Sequence, residues 1–341
     1  MAGIFGRRAG QGGGATGAAL AAAAAVQRQA PQPAPEGQEA AAQQVQWEQA
    51  AARFAAVRPG DHERRYQLTA EFGALAAEEE GWLRDWQRAR PQDVDAACVD
   101  ARGLVDLAWL IRGSGWAKDV TREQWQNFHR ILGQVAGVCA EATRQDPADP
   151  VPWIVQLPAA MGLSKDHDEF RALWAEVAAR APYHVKAHQA ALSYWLPRWS
   201  GSRELATAFV EDAIAAAPPG SLLTLLRLEL LNNELRPSEE RELPGFWHGE
   251  QVRAAVDAAL ADLAAADPYH ARVPDMRNWL ALFLTRAGRL DEAAEQFRLI
   301  GPFAGGEPWR YTADPAALFL SVRTEAVRTE SVRTEAPRTT A

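Results

Sequence analysis

The sequence has few cysteines and no long apolar run, and each deficit argues against a class of protein. Cys98 and Cys139 are its two cysteines. Neither belongs to a CxxC pair, which argues against a structural zinc site. Because buried free cysteines pack as small hydrophobes, we expect both thiols in the core rather than in a disulfide. No apolar run reaches the roughly 18 residues that a membrane-spanning helix requires, so we expect no membrane partner.

Sequence motifs for phosphate binding and for a nucleophilic serine are also missing. No GxxxxGK[ST] or GxSxG run occurs, and the glycine-rich stretch 10–14 has neither a preceding strand nor a following Lys-Ser/Thr pair. The formal net charge of −8 opposes a protein that chiefly neutralises phosphates, and no RRM-like or zinc-finger-like pattern is present. We therefore predict no catalytic residues, no metal, no cofactor and no nucleic-acid partner.

What the sequence does contain is a series of helices in pairs. Pro147, Pro182 and Pro218 lie 35 and 36 residues apart, each just after an alanine-rich helix. A helix-turn-helix with a closing proline and a period of about 34 residues is typical of tetratricopeptide-like repeats. The last copy resembles that family most closely, at the small, aromatic and glycine positions Trp279, Leu280, Ala281, Leu284, Gly288, Ala293 and Phe297. The resemblance implies an antiparallel helical-hairpin array.

Composition divides the chain into three parts. Residues 1–44 are rich in Gly, Ala, Gln and Pro and predict a disordered arm. Residues 45–320 carry the helical pattern, either as one domain or as sub-domains 45–145 and 146–320. Residues 321–341 repeat a Val-Arg-Thr-Glu unit every five residues, a period that matches neither helix nor strand, so we expect a disordered tail. The predicted fold class is therefore all-α, a tetratricopeptide-like array with disordered N- and C-terminal arms.

The N-terminal arm resembles an export signal only superficially. Arg7 and Arg8 precede a small-residue run that ends at 21–26. That run is Gly and Ala rather than Leu, and the arginine pair lacks the flanking residues of a twin-arginine signal. We therefore expect the protein to reside in the cytoplasm.

The stretch 192–202 is the most distinctive corner between two predicted helices. It holds Trp195, Arg198 and Trp199 beside a proline and a Ser-Gly-Ser turn. One interpretation is a rigid corner. The other has the two tryptophans clamping Arg198 by cation–π contact, so that its guanidinium presents a fork to a carboxylate or phosphate.

The same segment resembles a bacterial domain family of unknown function with a Pro-Arg-Trp-Gly-Gly-Ser type motif. Pro197, Arg198, Trp199, Gly201 and Ser202 match that motif, whereas a serine replaces its first glycine. Members of the family are common in actinobacteria and look like tetratricopeptide-related helical proteins. The resemblance covers about residues 90–220 and implies a fold rather than an activity.

Two histidines, His184 and His188, stand four residues apart at a predicted helix start. That spacing suits a metal, but no third ligand is evident nearby. We therefore interpret both as partly exposed packing histidines, and we include them among the candidate binding residues. The Pro-Tyr-His sequence that ends at His184 recurs at 268–270, which is a second sign of internal duplication.

These observations favour a non-enzymatic bacterial module that binds a protein or a peptide. Stacked hairpins form a concave surface suited to an extended peptide or a partner helix. The candidate binding residues are Trp195, Arg198, Trp199, His184 and His188. The alternative is an enzyme of unknown reaction with a polar cleft around His184, His188 and Arg198. A third hypothesis is a dimeric structural protein that uses exposed tryptophans, and the sequence leaves the oligomeric state open.

Overall fold

The computed structural model describes residues 47–113, 120–234, 244–301, 307–311 and 314–334. Over these residues the chain forms fifteen α-helices and one 3₁₀ turn, and no strand. The all-α fold class is therefore confirmed. The arm predicted at 1–44 lies outside the described residues. Among the described helices, none combines the length and the apolar character needed to cross a bilayer.

In chain order the helices are α1 Trp47–Ala55, α2 His62–Glu78, α3 Gly81–Ala89, α4 Val94–Arg112, α5 Arg122–Gln145, α6 Val151–Gly162, α7 His167–Arg180 and α8 Val185–Trp195. They continue with α9 Arg203–Ala216, α10 Leu225–Glu234, α11 Pro244–Trp247, α12 Glu250–Ala265, α13 Val273–Arg286, α14 Leu290–Ile300 and α15 Pro315–Thr334. The 3₁₀ turn Trp309–Tyr311 precedes α15.

Helix starts follow the capping signals in the sequence. The Thr121 hydroxyl accepts a hydrogen bond from the Gln124 backbone N–H at 3.2 Å, and the Gln124 side chain accepts one from the Thr121 N–H at 2.9 Å. Asp166 and Glu169 form the same reciprocal pair at the start of α7. Each pair satisfies two backbone donors that the first helical turn leaves free. Helices α5 and α7 therefore begin where the sequence predicts.

Alternate helices form a continuous row. Helix α2 packs on α4, α4 on α6, α6 on α8, α8 on α10, and α10 on α13. The intervening helices α5, α7, α9 and α14 each pack on a neighbour in that row. Successive helix pairs that stack on one another produce this arrangement. The tetratricopeptide type of the array stays a prediction.

The apolar side chains collect into two clusters. The larger runs from Tyr66 on α2 to Ala326 on α15, so it crosses the boundary between the two sub-domains considered above. The smaller joins α1, α2, α3 and α4 around Trp82 and Trp86, which are 4% and 0% exposed. That tryptophan pair, which its i, i+4 spacing places on one helical face, therefore belongs to the core.

Both cysteines are buried and free, as predicted. Burial raises the pKa of Cys98, and it raises the pKa of Cys139 to about 12. Neither thiol therefore ionises near neutral pH, and an un-ionised thiol is a poor nucleophile. Both side chains contribute packing to the larger cluster.

The C-terminal tail differs from its prediction. Residues 321–334 belong to α15, and 335–341 lie outside the described residues. Phe319, Val322 and Ala326 are 1%, 1% and 0% exposed and pack into the larger cluster. The five-residue period of the repeat does not show why this segment forms a helix. Its first unit places a valine and an alanine four residues apart, which puts both on one helical face, and its Arg, Glu and Ala are good helix formers.

Candidate functional site

The corner between α8 and α9 does not form the predicted arginine clamp. The guanidinium of Arg171 lies 5.4 Å from the ring centroid of Trp195, and that of Arg112 lies 5.8 Å from the ring centroid of Trp199. Arg198 is exposed and points elsewhere. Of the two interpretations of this corner, the one in which Trp195 and Trp199 clamp Arg198 is therefore wrong. Both rings turn toward neighbouring helices, α7 and α4, and those helices supply the cations.

Backbone contacts make the corner a rigid turn. The Ser200 N–H donates to the Tyr194 carbonyl at 3.2 Å, and the Gly201 N–H donates to the Leu196 carbonyl at 3.3 Å. A Cβ at Gly201 would overlap the backbone of Trp195. Glycine is therefore required here by the close approach of two backbone segments. The corner has the geometry expected of its structural interpretation.

His184 caps α8 and lies in a buried polar network. Its Nδ1 accepts a hydrogen bond from the Ala187 N–H at 3.1 Å, and its Nε2 donates to the His62 carbonyl at 3.3 Å. Glu63 Oε1 is 3.6 Å from Nδ1, and the imidazole is edge-on to Tyr66 with centroids 5.4 Å apart. Burial lowers the pKa of His184, so the ring is neutral near pH 7. The predicted partial exposure is wrong, because the start of α2 covers this residue.

His188 lies in an aromatic groove between α7 and α9. The groove has a volume of about 490 Å³. Its aromatic and aliphatic lining includes Trp174, Trp195, Leu205 and Phe209. The His188 ring is edge-on to Trp174, with centroids 4.8 Å apart, and Trp174 is edge-on to Phe209 at 5.3 Å. His188 is 3% exposed rather than partly exposed. Burial lowers its pKa to about 4, so this part of the groove is uncharged near pH 7.

Charged side chains stand at the edges of the aromatic groove. Arg171 on α7 and Asp212 on α9 both border it. Arg171 pairs with Asp168 at 3.2 Å, and these side chains are 54% and 96% exposed. Because an exposed ion pair contributes little free energy, an acidic ligand can replace Asp168 at small cost.

The predicted binding residues therefore separate in space. Trp195 and His188 border the aromatic groove, whereas His184 borders another cavity near the start of α2. Trp199 packs edge-on against Trp109 with centroids 5.4 Å apart. Over the described ranges, no group of three or more His, Cys, Asp or Glu side chains is placed to hold a metal ion.

Sequence analysis missed a carboxylate pair in which Glu229 is buried and Glu307 is half-buried. Gln189 Nε2 donates to Glu229 Oε2 at 2.8 Å and to Glu307 Oε2 at 3.1 Å. Burial, with the nearby carboxylate of Glu307, raises the pKa of Glu229 to about 8. Arg198 approaches this cluster, and its Nη1 donates to Asn233 Oδ1 at 2.7 Å. The available signal was Glu229 itself, a carboxylate within the leucine-rich first part of α10.

Residues 38–145 match the family model of a domain of unknown function (DUF4034). The match covers less than half of the chain, and it ends before the corner at 195–202. No curated protein and no solved structure matches the chain. A resemblance to a family of unknown function is thus supported, over 38–145 rather than over the expected 90–220. The Pro-Arg-Trp motif and the tetratricopeptide-like type stay predictions.

Proposed function

We propose that this protein binds a short peptide segment of a partner protein in the aromatic groove, without converting it chemically. The observation that carries the proposal is the pair of half-buried rings, Trp174 and Phe209, packed beside the buried, neutral His188. Apolar surface that a ligand covers contributes about 25 cal/mol per Å². An apolar anchor side chain gains from this surface, and we expect it to be an aliphatic one packed against the rings.

The edges of the groove define the second feature of the peptide. Arg171 is held by an exposed ion pair with Asp168 and by a cation–π contact with Trp195, whose ring centroid lies 5.4 Å from the guanidinium. An acidic residue next to the aliphatic anchor can therefore pair with the Arg171 guanidinium, which Trp195 already orients. The expected ligand is an aliphatic side chain beside an acidic one.

The walls of the groove are suited to recognition without rearrangement. Helices α7 and α9 both pack on members of the helical row, and α9 starts at Ser202, whose side chain accepts from the Leu205 N–H at 3.2 Å. Preformed walls reduce the ordering cost of binding. The enzyme alternative is not proposed, since His184, His188 and Arg198 occupy three different surroundings. Tetratricopeptide-like type, cytoplasmic residence and bacterial origin are proposed on the sequence grounds given above.

Selection of phage-displayed random peptides on the purified protein tests the proposal. We expect the selected peptides to share an aliphatic residue next to Asp or Glu. The Phe209→Asp variant places a carboxylate in the groove and should lose these peptides. The Arg171→Glu variant alters an exposed side chain, so it should fold normally and should select basic peptides instead.

Leu299→Asp is the control, because it also replaces an apolar side chain by a carboxylate, at an exposed position away from the groove. It should retain the peptides selected on the unaltered protein. Equal peptide binding by the unaltered protein, Phe209→Asp and Arg171→Glu would overturn the proposal. A failure to enrich any shared sequence would do the same.

A further inference from the structure

A second cavity, which the proposed function does not use, opens where the start of α13 meets α2 and the end of α14. Its volume is about 610 Å³. The residues that matter for its chemistry are Arg64, Gln67, Tyr269, His270, Arg277 and Leu299. We name it the arginine cavity. Its size falls within the range of about 300–1,000 Å³ that is usual for small-molecule sites.

Two guanidinium groups border the arginine cavity without a carboxylate partner. Arg64 Nη1 donates to Gln67 Oε1 at 3.0 Å, and Arg277 Nη1 donates to Gln296 Oε1 at 3.1 Å. Both acceptors are neutral amides, and across the described ranges neither arginine forms an ion pair. Burial lowers the pKa of Arg277, and the Glu295 carboxylate, which is paired with Arg298, offsets this effect only in part. A half-buried cation whose charge is only partly compensated is stabilised when an anion binds beside it.

Among the described residues that line the cavity, Asp275 is the one carboxylate, and two cations already neutralise it. Asp275 Oδ2 is 3.3 Å from Lys186 Nζ and 3.3 Å from Arg272 Nη1. His270 Nδ1 accepts a hydrogen bond from the Arg272 N–H at 3.1 Å, which fixes the orientation of the imidazole. The charge that the cavity offers to a ligand is therefore positive, in a protein whose net charge is −8.

Apolar side chains are exposed at the same cavity. Tyr269 is 84% exposed and Leu299 is 54% exposed, and both border the arginine cavity together with Ile300. Large apolar side chains that stand exposed together at a concave site are a common mark of ligand binding. The cavity therefore combines two unpaired cations with an uncovered apolar surface.

We infer that the arginine cavity binds a small organic anion. Its carboxylate or phosphate group pairs with Arg64 and Arg277, and its apolar body covers Tyr269 and Leu299. Arginine suits this task because its planar fork donates two hydrogen bonds to either oxyanion. The inference is independent of the peptide proposed for the aromatic groove, since the two sites are lined by different residues.

Isothermal titration of the full chain tests the inference with phenyl phosphate and phenylpropionate, which present the two anionic groups on one apolar body. We expect saturable binding of at least one probe and weaker binding at high salt. Preference between the probes identifies the anionic group. Inorganic phosphate lacks the body and benzyl alcohol lacks the charge, so each should bind more weakly than the preferred probe.

Arg64→Gln and Arg277→Gln should each weaken binding of the preferred probe by about tenfold or more, because each removes charge-assisted hydrogen bonds. Arg277→Lys keeps the positive charge and should bind the probe with intermediate affinity. Binding by this variant would show that replacing Arg277 does not unfold the protein. Tyr269→Ala should weaken binding of the preferred phenyl probe and leave the binding of inorganic phosphate unchanged.

Arg253→Gln is the matched control, because Arg253 is an exposed arginine that pairs with Glu250 on α12. This variant should bind the preferred probe as the unaltered protein does. Absence of saturable binding by both probes, or equal binding by the Arg64→Gln/Arg277→Gln double variant, would overturn the inference.

Discussion

Glu63 Oε2 lies 2.9 Å from Arg272 Nε, although the two residues are 209 positions apart in the chain. Arg272 Nη2 also donates to the Glu63 carbonyl at 3.2 Å. The two side chains are 9% and 6% exposed, so the ion pair is buried. Glu63 Oε1 accepts a further hydrogen bond from the Val185 N–H. One glutamate in the first turn of α2 therefore connects the starts of α8 and α13.

The first prediction concerns the loss of that buried charge. Glu63→Gln should lower the free energy of unfolding by about 3 kcal/mol, the lower end of the range for breaking a buried ion pair, because it leaves the buried Arg272 guanidinium with only Asp275 as a carboxylate partner, at 3.3 Å. Urea denaturation followed by far-ultraviolet circular dichroism measures the change. Glu71→Gln on the same helix is the control. Glu71 pairs with Arg53, and their side chains are 45% and 48% exposed, so that substitution should cost less than about 1 kcal/mol. Equal losses in the two variants would show that the Glu63 pair does not connect the helices.

The second prediction concerns the turn between α8 and α9. Gly201→Ala should destabilise the protein by more than about 1 kcal/mol, because the added Cβ overlaps the backbone of Trp195 and the turn must shift. Thermal unfolding measured by calorimetry would show the loss.

Gly137→Ala gives the opposite expectation and serves as its control. Gly137 lies within α5, and a Cβ added there meets nothing within 4 Å. Alanine is the better helix former, so this variant should be more stable by up to about 1 kcal/mol. A Gly201→Ala protein as stable as the unaltered one would show that the corner is not a tightly packed turn.

The third prediction concerns the helical tail. Val322→Asp should destabilise the protein by about 3 kcal/mol or more, because it places an unpaired carboxylate at a position that is 1% exposed. Val327→Asp changes the same position of the next repeat unit, where the valine is 37% exposed, and it should cost less than about 1 kcal/mol. Comparable denaturation midpoints for the two variants would mean that the first unit is not packed against the core.

Local signals predicted a large share of this structure. The Thr121 and Asp166 capping boxes fixed two helix starts, and the spacing of Trp82 and Trp86 placed both in the core. Such features depend on residues within one or two helical turns, so the sequence displays them directly. The low-complexity tail shows the limit of this approach, since judging it by its repeat period concealed the helical position of Val322.

Long-range pairings could not be predicted. Arg198 was the obvious cation beside Trp195 and Trp199, yet Arg171 and Arg112 stack on those rings because the helices that carry them pack there. The candidate site shows the same limit. Trp195 and His188 border the aromatic groove together with Trp174 and Phe209. Trp174 and Phe209 reach the groove because α7 and α9 pack around α8, and the sequence does not show that packing.

The arginine cavity was hidden for a related reason. The Pro-Tyr-His echo drew attention to residues 268–270 as a mark of duplication. The structure places Tyr269 and His270 beside Arg64, which lies about two hundred positions earlier in the chain. No spacing rule joins residues so far apart, since their proximity depends on how the row of helices brings α2 to the start of α13.

The last prediction concerns the dependence of stability on pH. Glu229 is 2% exposed, and burial, with the Glu307 carboxylate, raises its pKa from an ordinary value of 4.5 to about 8. Lys186 and Arg198 act in the opposite direction and only partly offset this rise. The folded protein therefore holds a proton that the unfolded chain releases between these two pH values. By linkage, the free energy of unfolding should fall as pH rises from about 4.5 to about 8, by up to about 1.4 kcal/mol per pH unit, and this contribution should be constant outside that window.

Glu229→Gln removes the titrating group but keeps a side chain of the same shape that remains neutral. Its free energy of unfolding should therefore fall less between pH 5 and pH 8 than that of the unaltered protein. The variant should gain relative stability at the alkaline end, where the unaltered protein must bury the negative charge of Glu229. Glu78→Gln, at an exposed position of α2, should leave the pH profile unchanged. Parallel profiles for Glu229→Gln and the unaltered protein would contradict the prediction, because they would show that Glu229 ionises equally in the folded and unfolded states.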